Sequence, residues 1–315
     1  MTGNPPPSRQ TPFLLALLAL AIAAPFGVYP VFLMKGLCFA LFAAAFNLLL
    51  GYVGLLSFGH ATFFGFAAYV TAHAAREWGW TPEVAIVAGT ATAALMGLGT
   101  GWLAIRRQGI YFAMITLALA QMMYFVALQA PFTHGEDGIQ GVPRGRLFGL
   151  IDLNDMLAMY YFVLAVFVCG LAAIHRIVHS PFGQVLKAIR DNEPRAISLG
   201  YEVERYKLLA FVLSAALAGL AGSLKSVVFQ LASLADVHWH ASGEVVLMTL
   251  LGGVGTMLGP VAGAFLVVAI QNTFSEAGSW VTIIQGGIFV VCVLAFRRGI
   301  VGVLAPWLAK RGVSA

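Results

Sequence analysis

Charge is what this chain has least of. Only 10% of its 315 residues are Asp, Glu, Lys or Arg, against roughly 25% in a soluble domain, so an ordinary water-facing surface is excluded. No polar stretch is long enough to build a separate soluble core. Cysteine is scarce too: Cys38, Cys169 and Cys292 each sit inside an apolar run without a CxxC spacing, which excludes a disulfide framework or a zinc ribbon. No GxxxxGK[ST] phosphate loop occurs, and "GGVGTMLG" lacks the lysine that would neutralise phosphate, so nucleotide is left to another chain. The His238 and His240 pair falls in an expected external loop without a matching set of metal ligands. Ser57 and His60 lack an orienting acid, which argues against a catalytic role. Nor is there a relay of buried charges of the kind that couples transport to protons or sodium.

What is present is apolar length. The chain is 60% hydrophobic with a mean hydropathy of +0.88. Apolar windows near 12–28, 31–50, 57–75, 83–104, 110–129, 157–175, 207–230, 244–257, 259–275 and 280–296 predict an all-α integral membrane fold of about ten transmembrane helices. The opening "MTGNPPPSRQTPFLLALLALAIAAPFG" has the look of a secretory signal, but only further spans follow, so it reads as a retained first helix. The expected organisation is a disordered cytoplasmic N-terminus over 1–11, one transmembrane domain over 12–297, and a cytoplasmic tail over 298–315.

The net charge of +5 belongs to topology and not to nucleic acid. Arg106 and Arg107, the segment from His175 to Lys207, Arg297 and Arg298, and Lys310 and Arg311 fall on one side if both termini are cytoplasmic, as the positive-inside rule requires. Segments 76–82, 130–156 and 231–243 then face outward and carry Glu136, Asp137, Asp152, Asp155 and Asp236.

Two apolar regions are broken by glycine: "GYVGLLSFGHATFFGFAAYV" and "LLGGVGTMLGPVAGAFLVV". They fall at corresponding positions of two groups of spans with opposite topology, the pattern that marks a translocation pathway between inverted halves. Close packing through small residues is the alternative. Polar residues within spans are Asn47, Ser57, His60, Thr62, Thr116, Gln121, Ser214 and Glu244. Asn47, Ser57, Gly59, His60, Gly252, Gly253 and Gly255 are the candidates for the pathway.

The charges that do occur concentrate in one loop, about 176–207. Phe182, Val185, Leu186 and Ile189 recur at helical spacing while Gln184, Lys187, Arg190 and Asp191 fill the other face. Ser180-Pro181 predicts a capped start. Asn192 or Glu193 predicts a second cap, with Pro194 at the first position and Gly200 past the end. A folded helical hairpin on the cytoplasmic face follows, suited to a partner's groove or to resting on membrane lipid.

The stretch "SPFGQVLKAIRDNEPRAISLGYEVERYKLLAFVLSAALAGLAGSL" resembles the cytoplasmic coupling region of the branched-chain amino-acid ABC transporter permeases of the LivM type. "NLLLGYVGLLSFGHATFFGFAAYV", "RRQGIYFAMITLALAQ", "GEDGIQGVP", "EVVLMTLLGGVGTMLGPVAGA" and "FRRGIVG" extend the resemblance, in order, over roughly 40–300. The resemblance implies a multi-pass permease of the bacterial inner membrane, paired with a homologous LivH-type permease, two cytoplasmic ABC ATPase subunits and a periplasmic substrate-binding protein. It implies that Phe182, Gln184, Lys187, Ile189, Arg190, Asp191 and Arg195 dock on an ATPase and that Gly200 shapes the return to the membrane. No cofactor is expected in this chain, since ATP and Mg belong to the partners. The implied cargo is a branched-chain amino acid. Urea or short amides within the same family, or an ion-coupled secondary transporter outside it, are the alternatives.

Overall fold

The computed structural model describes residues 10–274 together with the isolated positions 283, 286, 287, 290 and 299. The expected span at 280–296 and the tail at 298–315 therefore lie outside the described segment, as does most of the N-terminal lead. Eleven helices run through the described residues: α1 (Gln10–Ala23), α2 (Pro30–Tyr52), α3 (His60–Arg76), α4 (Pro82–Ala104), α5 (Ile110–Gln129), α6 (Met156–His179), α7 (Pro181–Asp191), α8 (Glu193–Ser198), α9 (Val203–Phe229), α10 (Trp239–Gly252) and α11 (Gly259–Thr273). Five of them, α2, α4, α5, α6 and α9, are long and apolar enough to cross a membrane.

Prolines at first positions start α2, α4 and α7, where the missing N–H costs nothing. Asp155 caps α6 by accepting from the Leu157 N–H at 3.3 Å. The central member is α9, which packs along α2, α3 and α4, while α6 and α11 flank α2 and α10 lies against α11. Small residues set these distances: a β-carbon on Gly222 would collide with the Phe64 carbonyl oxygen, so α9 touches the α3 backbone directly.

Two expectations change. The window at 244–257 is helical over Trp239–Gly252, because Gly253 and Gly255 take φ of +122° and +76° and stop the helix. The chain is also not purely helical. Four two-residue strands form two antiparallel pairs, β1 (Ile139–Gln140) with β4 (Leu231–Ala232) and β2 (Arg146–Leu147) with β3 (Ile151–Asp152). The first pair ties the long α5–α6 connection to the end of α9.

Candidate functional site

The charged segment folds as a capped hairpin. The Ser180 hydroxyl accepts from the Gly183 N–H at 3.3 Å and opens α7. Asn192 breaks the run at φ −159° and its Oδ1 accepts from the Arg195 N–H at 3.1 Å, so it serves as the cap of α8. Gly200, at φ +88°, closes α8: its own N–H reaches the Ile197 carbonyl at 2.9 Å and the Tyr201 N–H reaches Ala196 at 3.2 Å.

The apolar stripe of α7 points inward. Leu186 and Ile189 are buried, Ile189 against Ala196 and Val203. Phe182 is half-buried and stacks on Tyr206 at 5.7 Å between ring centroids. Ile189, expected in a partner's groove, is thus committed to its own chain, because the stripe buries more apolar surface by seating α7 on α8 and α9 than by facing out. The outward face carries Gln184, Ala188, Asp191 and Arg195, with Ile197 at 57% and Leu199 at 69% exposure as its apolar members. Lys187 lies between the two faces, its ammonium 5.8 Å from the Tyr52 ring centre.

Three polar contacts clamp the hairpin to the bundle. Arg190 Nη1 donates to the Gly51 carbonyl at 2.6 Å, while its Nε and Nη2 hold Asp191 at 3.1 and 2.9 Å. Lys207, only 3% exposed, meets Glu193 at 2.6 Å. Gln108, in the α4–α5 connection, donates to the same Glu193 oxygen at 2.9 Å. A polar cleft of about 400 Å³ opens between these groups and Gly54.

Gly51 lies at the first glycine break. After α2 the chain turns at Gly54, φ +82°, with the Leu55 N–H returning to the Leu49 carbonyl at 3.2 Å. The second break, between α10 and α11, comes to the same place. Asn47 Oδ1 accepts from the Gly255 N–H at 2.9 Å and its Nδ2 donates to the Thr256 carbonyl at 2.9 Å. A β-carbon at Gly51 would run into Asn47 Oδ1 and the Gly255 backbone, and one at Gly255 would lie 3.8 Å from Arg190 Nη1. Asn47, Gly51, Gly253, Gly255 and Arg190 thus form one joint, with Gly252 packed on the Gly259 carbonyl beside it.

Ser57, Gly59 and His60 are not part of that joint. His60 is wholly buried, edge-on to Phe46, Phe63 and Phe211. Its Nε2 lies 2.8 Å from Ser214 Oγ, and Ser214 in turn donates to the Ala45 carbonyl at 2.6 Å. His60 is therefore the donor of that bond. Ser57 accepts from the Gly59 N–H at 3.2 Å, and the Phe58 N–H bonds to Thr116 Oγ1 at 3.2 Å. The void beside Gly59, Thr62 and Phe211 is about 10 Å³, room for a single water. Within the described residues these groups knit α2, α3, α5 and α9 together.

The opposite end of the bundle holds, beside Asp236 and Glu244, two cations that sequence reasoning passed over, Lys35 and Lys225. Lys225 of α9 is paired with Asp236, which also accepts from the Ser233 hydroxyl at 3.1 Å. Glu244 of α10 accepts from Gln271 Nε2 at 3.2 Å. Lys35 lies in the second turn of α2, as Glu244 does in α10. The signal that could have revealed Lys35 and Lys225 is that each is a lone cation a turn or more inside an apolar run. His238 caps α10 through Nδ1, 3.4 Å from the His240 N–H. Burial, and after it the neighbouring His240, hold its imidazole below the usual histidine range. No group of metal-ligating side chains occurs among the described residues.

The family described as branched-chain amino acid transport system / permease component matches residues 30–294. The high-affinity branched-chain amino acid transport system permease protein LivM of Escherichia coli strain K12 is 28% identical over an alignment covering 98% of this chain and 78% of that protein. LivM of Salmonella typhimurium strain LT2 is also 28% identical, covering 95% and 77%. The xylose transport system permease protein XylH of E. coli strain K12 is 28% identical over 53% of this chain and 45% of its own length. No solved structure matches. The match spans the hairpin, both glycine breaks and the helices between them, and the chain belongs to the branched-chain amino acid transport system permease family.

Proposed function

We propose that this ABC-importer permease subunit carries branched-chain amino acids inward across the bacterial inner membrane, paired with a homologous LivH-type permease above two ATPases that hold ATP and Mg. A periplasmic binding protein would deliver cargo to the end of the bundle that carries Lys225 and Asp236. Alignment with LivM proteins along nearly the whole chain supports that cargo over the sugar of the half-length matches. The spans number about ten in two inverted halves, with both termini cytoplasmic.

One observation carries the mechanism: a single arginine joins the cytoplasmic hairpin to the backbone of the first glycine break, and Asn47 joins that break to the second. A partner gripping the outward face of α7 and α8 would move Arg190, and with it the Gly51 carbonyl and the Gly253–Thr256 turn. Gln184, Lys187, Asp191 and Arg195, with Ile197 and Leu199, form that gripping face, while Ile189 holds the hairpin rigid from beneath. Asn47 and the glycines of the joint shift the inner ends of α2, α10 and α11. Ser57, Gly59 and His60 keep the helices around the pathway in register. Cargo then passes between the two permeases, not through the packed core of one.

The test is co-expression of the four membrane-associated subunits with the binding protein, followed by purification and leucine uptake in proteoliposomes. The expected result is ATP-dependent uptake, with the ATPases lost from the complex when Ile197 and Leu199 are both changed to Asp. Uptake by this chain alone on an ion gradient would overturn the reading in favour of a secondary transporter.

A further inference from the structure

The β-hairpin of β2 and β3 carries a backbone conflict at its tip. Phe148 and Gly149 take φ of +49° and +73°, and the Leu150 N–H returns to the Leu147 carbonyl at 3.0 Å. Successive positive φ values belong to tight turns that asparagine, aspartate or glycine fill at little cost, whereas an aromatic residue there is strained. Such strain collects where a side chain has a contact to make. Yet the Phe148 ring is 72% exposed, Leu150 is 87% exposed, and Ile151 stands out beside them. Leu147 and Leu153 hold the β-hairpin to the core from beneath. Three large apolar side chains are thus presented outward on a turn that disfavours one of them.

The place of the tip follows from α4. Strand β2 packs on α4, and a β-carbon on Gly145 would lie 3.2 Å from Pro82 Cδ. Along α4, which is long and apolar enough to cross a membrane, Val84, Val87, Ala91, Leu95, Leu98 and Trp102 are exposed at three- and four-residue spacing. This stripe is about 27 Å long at 1.5 Å per residue, close to the ~30 Å of the hydrocarbon layer. Both of its ends carry anchors. Trp102 lies under the Arg106 guanidinium at 4.7 Å, and the exposed Trp78 and Trp80 pair at 4.9 Å just ahead of α4. Tryptophan collects at the boundary between lipid and water, and arginine reaches out of the lipid there. The start of α4 therefore lies at that boundary, and the β-hairpin tip lies with it.

We propose that the β2–β3 tip is a lipid anchor, with Phe148, Leu150 and Ile151 entering the boundary between headgroups and acyl chains around the start of α4. Arg146 and Asp152 stand opposite each other on the strand pair and offset each other in charge. Apolar burial, and not attraction to an anionic headgroup, supplies the hold. The anchor does not depend on which cargo the permease carries.

The test uses the purified complex of permeases and ATPases in nanodiscs of phosphatidylethanolamine and phosphatidylglycerol. The native cysteines are changed to alanine and a nitroxide label is placed on Leu150→Cys. Collision rates of the label with oxygen, which dissolves in lipid, and with a water-soluble nickel chelate read its depth. The oxygen-to-nickel ratio is expected to exceed several-fold that of the same label on Asn154→Cys, an exposed position of the same loop. Adding Phe148→Gly is expected to remove most of that excess while the subunits still purify together. If Phe148→Gly fails to assemble, Phe148→Asn, which also accepts left-handed backbone, takes its place with the same expectation. A ratio equal to that at Asn154 puts the tip in water and overturns the anchor, and so does an excess that survives the change at Phe148. A label shielded from oxygen and nickel alike overturns it in favour of a covering permease. Shielding that appears only when the periplasmic binding protein is added overturns it in favour of a docking surface for that protein.

Discussion

The two ends of the helix bundle treat charge in opposite ways. At the hairpin end Glu193 is closed on Lys207 and Gln108, and Arg190 on Asp191 and the Gly51 carbonyl. At the far end, among the described residues, Lys225 and Asp236 form a closed pair, whereas Glu244 bonds the neutral Gln271 and no salt bridge involves Lys35. Closed pairs fix distances and so transmit displacement, whereas a charge without a fixed ionic partner sets no such distance. The same residue types thus make a rigid linkage where a charged partner is built in and a looser contact where it is not.

The largest effect is expected at the hairpin. Glu193→Ala strands the buried Lys207 ammonium, and breaking a buried pair from one side costs about 3 kcal/mol or more. Denaturation of the purified complex should show this loss, and the double change Glu193→Leu with Lys207→Met should recover most of it. If the single change is silent, the clamp is not a clamp and the comparison between the ends fails.

Next is the joint. Asn47→Ala removes both bonds to the second glycine break and leaves the Gly255 N–H and the Thr256 carbonyl without their partner, a loss of about 2 kcal/mol. Its sharper readout is coupling: ATP hydrolysis should continue while leucine uptake per ATP falls, and Arg190→Met should behave alike. Uptake that falls only in step with the amount of folded complex would reduce Asn47 to a packing residue.

Ser180→Ala removes one cap and is expected to cost about 1 kcal/mol, read as faster amide exchange confined to α7. The smallest effect belongs to the far end and to pH. The folded His238 titrates below its unfolded value of about 6.5, so its contribution is fully present above that pH and is lost as pH falls through the lower folded value. Protonation also removes the Nδ1 acceptor that caps α10. Amide exchange in the first turn of α10 should therefore quicken on acidification in the wild type and lose that dependence in His238→Asn, which keeps a capping oxygen.

Much of this was legible because it is local. Ser180-Pro181, Asn192, Pro194 and Gly200 are caps and stops whose geometry depends on a few neighbouring residues, and the hairpin follows from them. Helix α5 has the bounds that hydropathy alone assigns, and α4 begins one residue earlier, at Pro82. The direction of the α7 stripe was not legible, since a helical moment says which residues share a face and not what covers it. Ile189 was assigned outward for that reason, and Val203 and Ala196 draw it inward. Gly252, Gly253 and Gly255 announced a break in the sequence, but that the break would settle on Asn47, some two hundred residues away, was not written locally.

The sequence by itself determined a membrane chain: scarce charge, repeated apolar lengths, cations gathered at the ends of those lengths and one capped, amphipathic hairpin. These follow from solvation and local backbone geometry, which act residue by residue. The tertiary structure alone decided that Arg190, Gly51, Asn47 and Gly255 make a single joint, that His60 is enclosed by three aromatic rings, and that Glu244 of α10 bonds Gln271 of α11. Such pairings depend on how α2, α9, α10 and α11 pack side by side, and packing is a property of the whole assembly of helices that no single stretch of sequence contains.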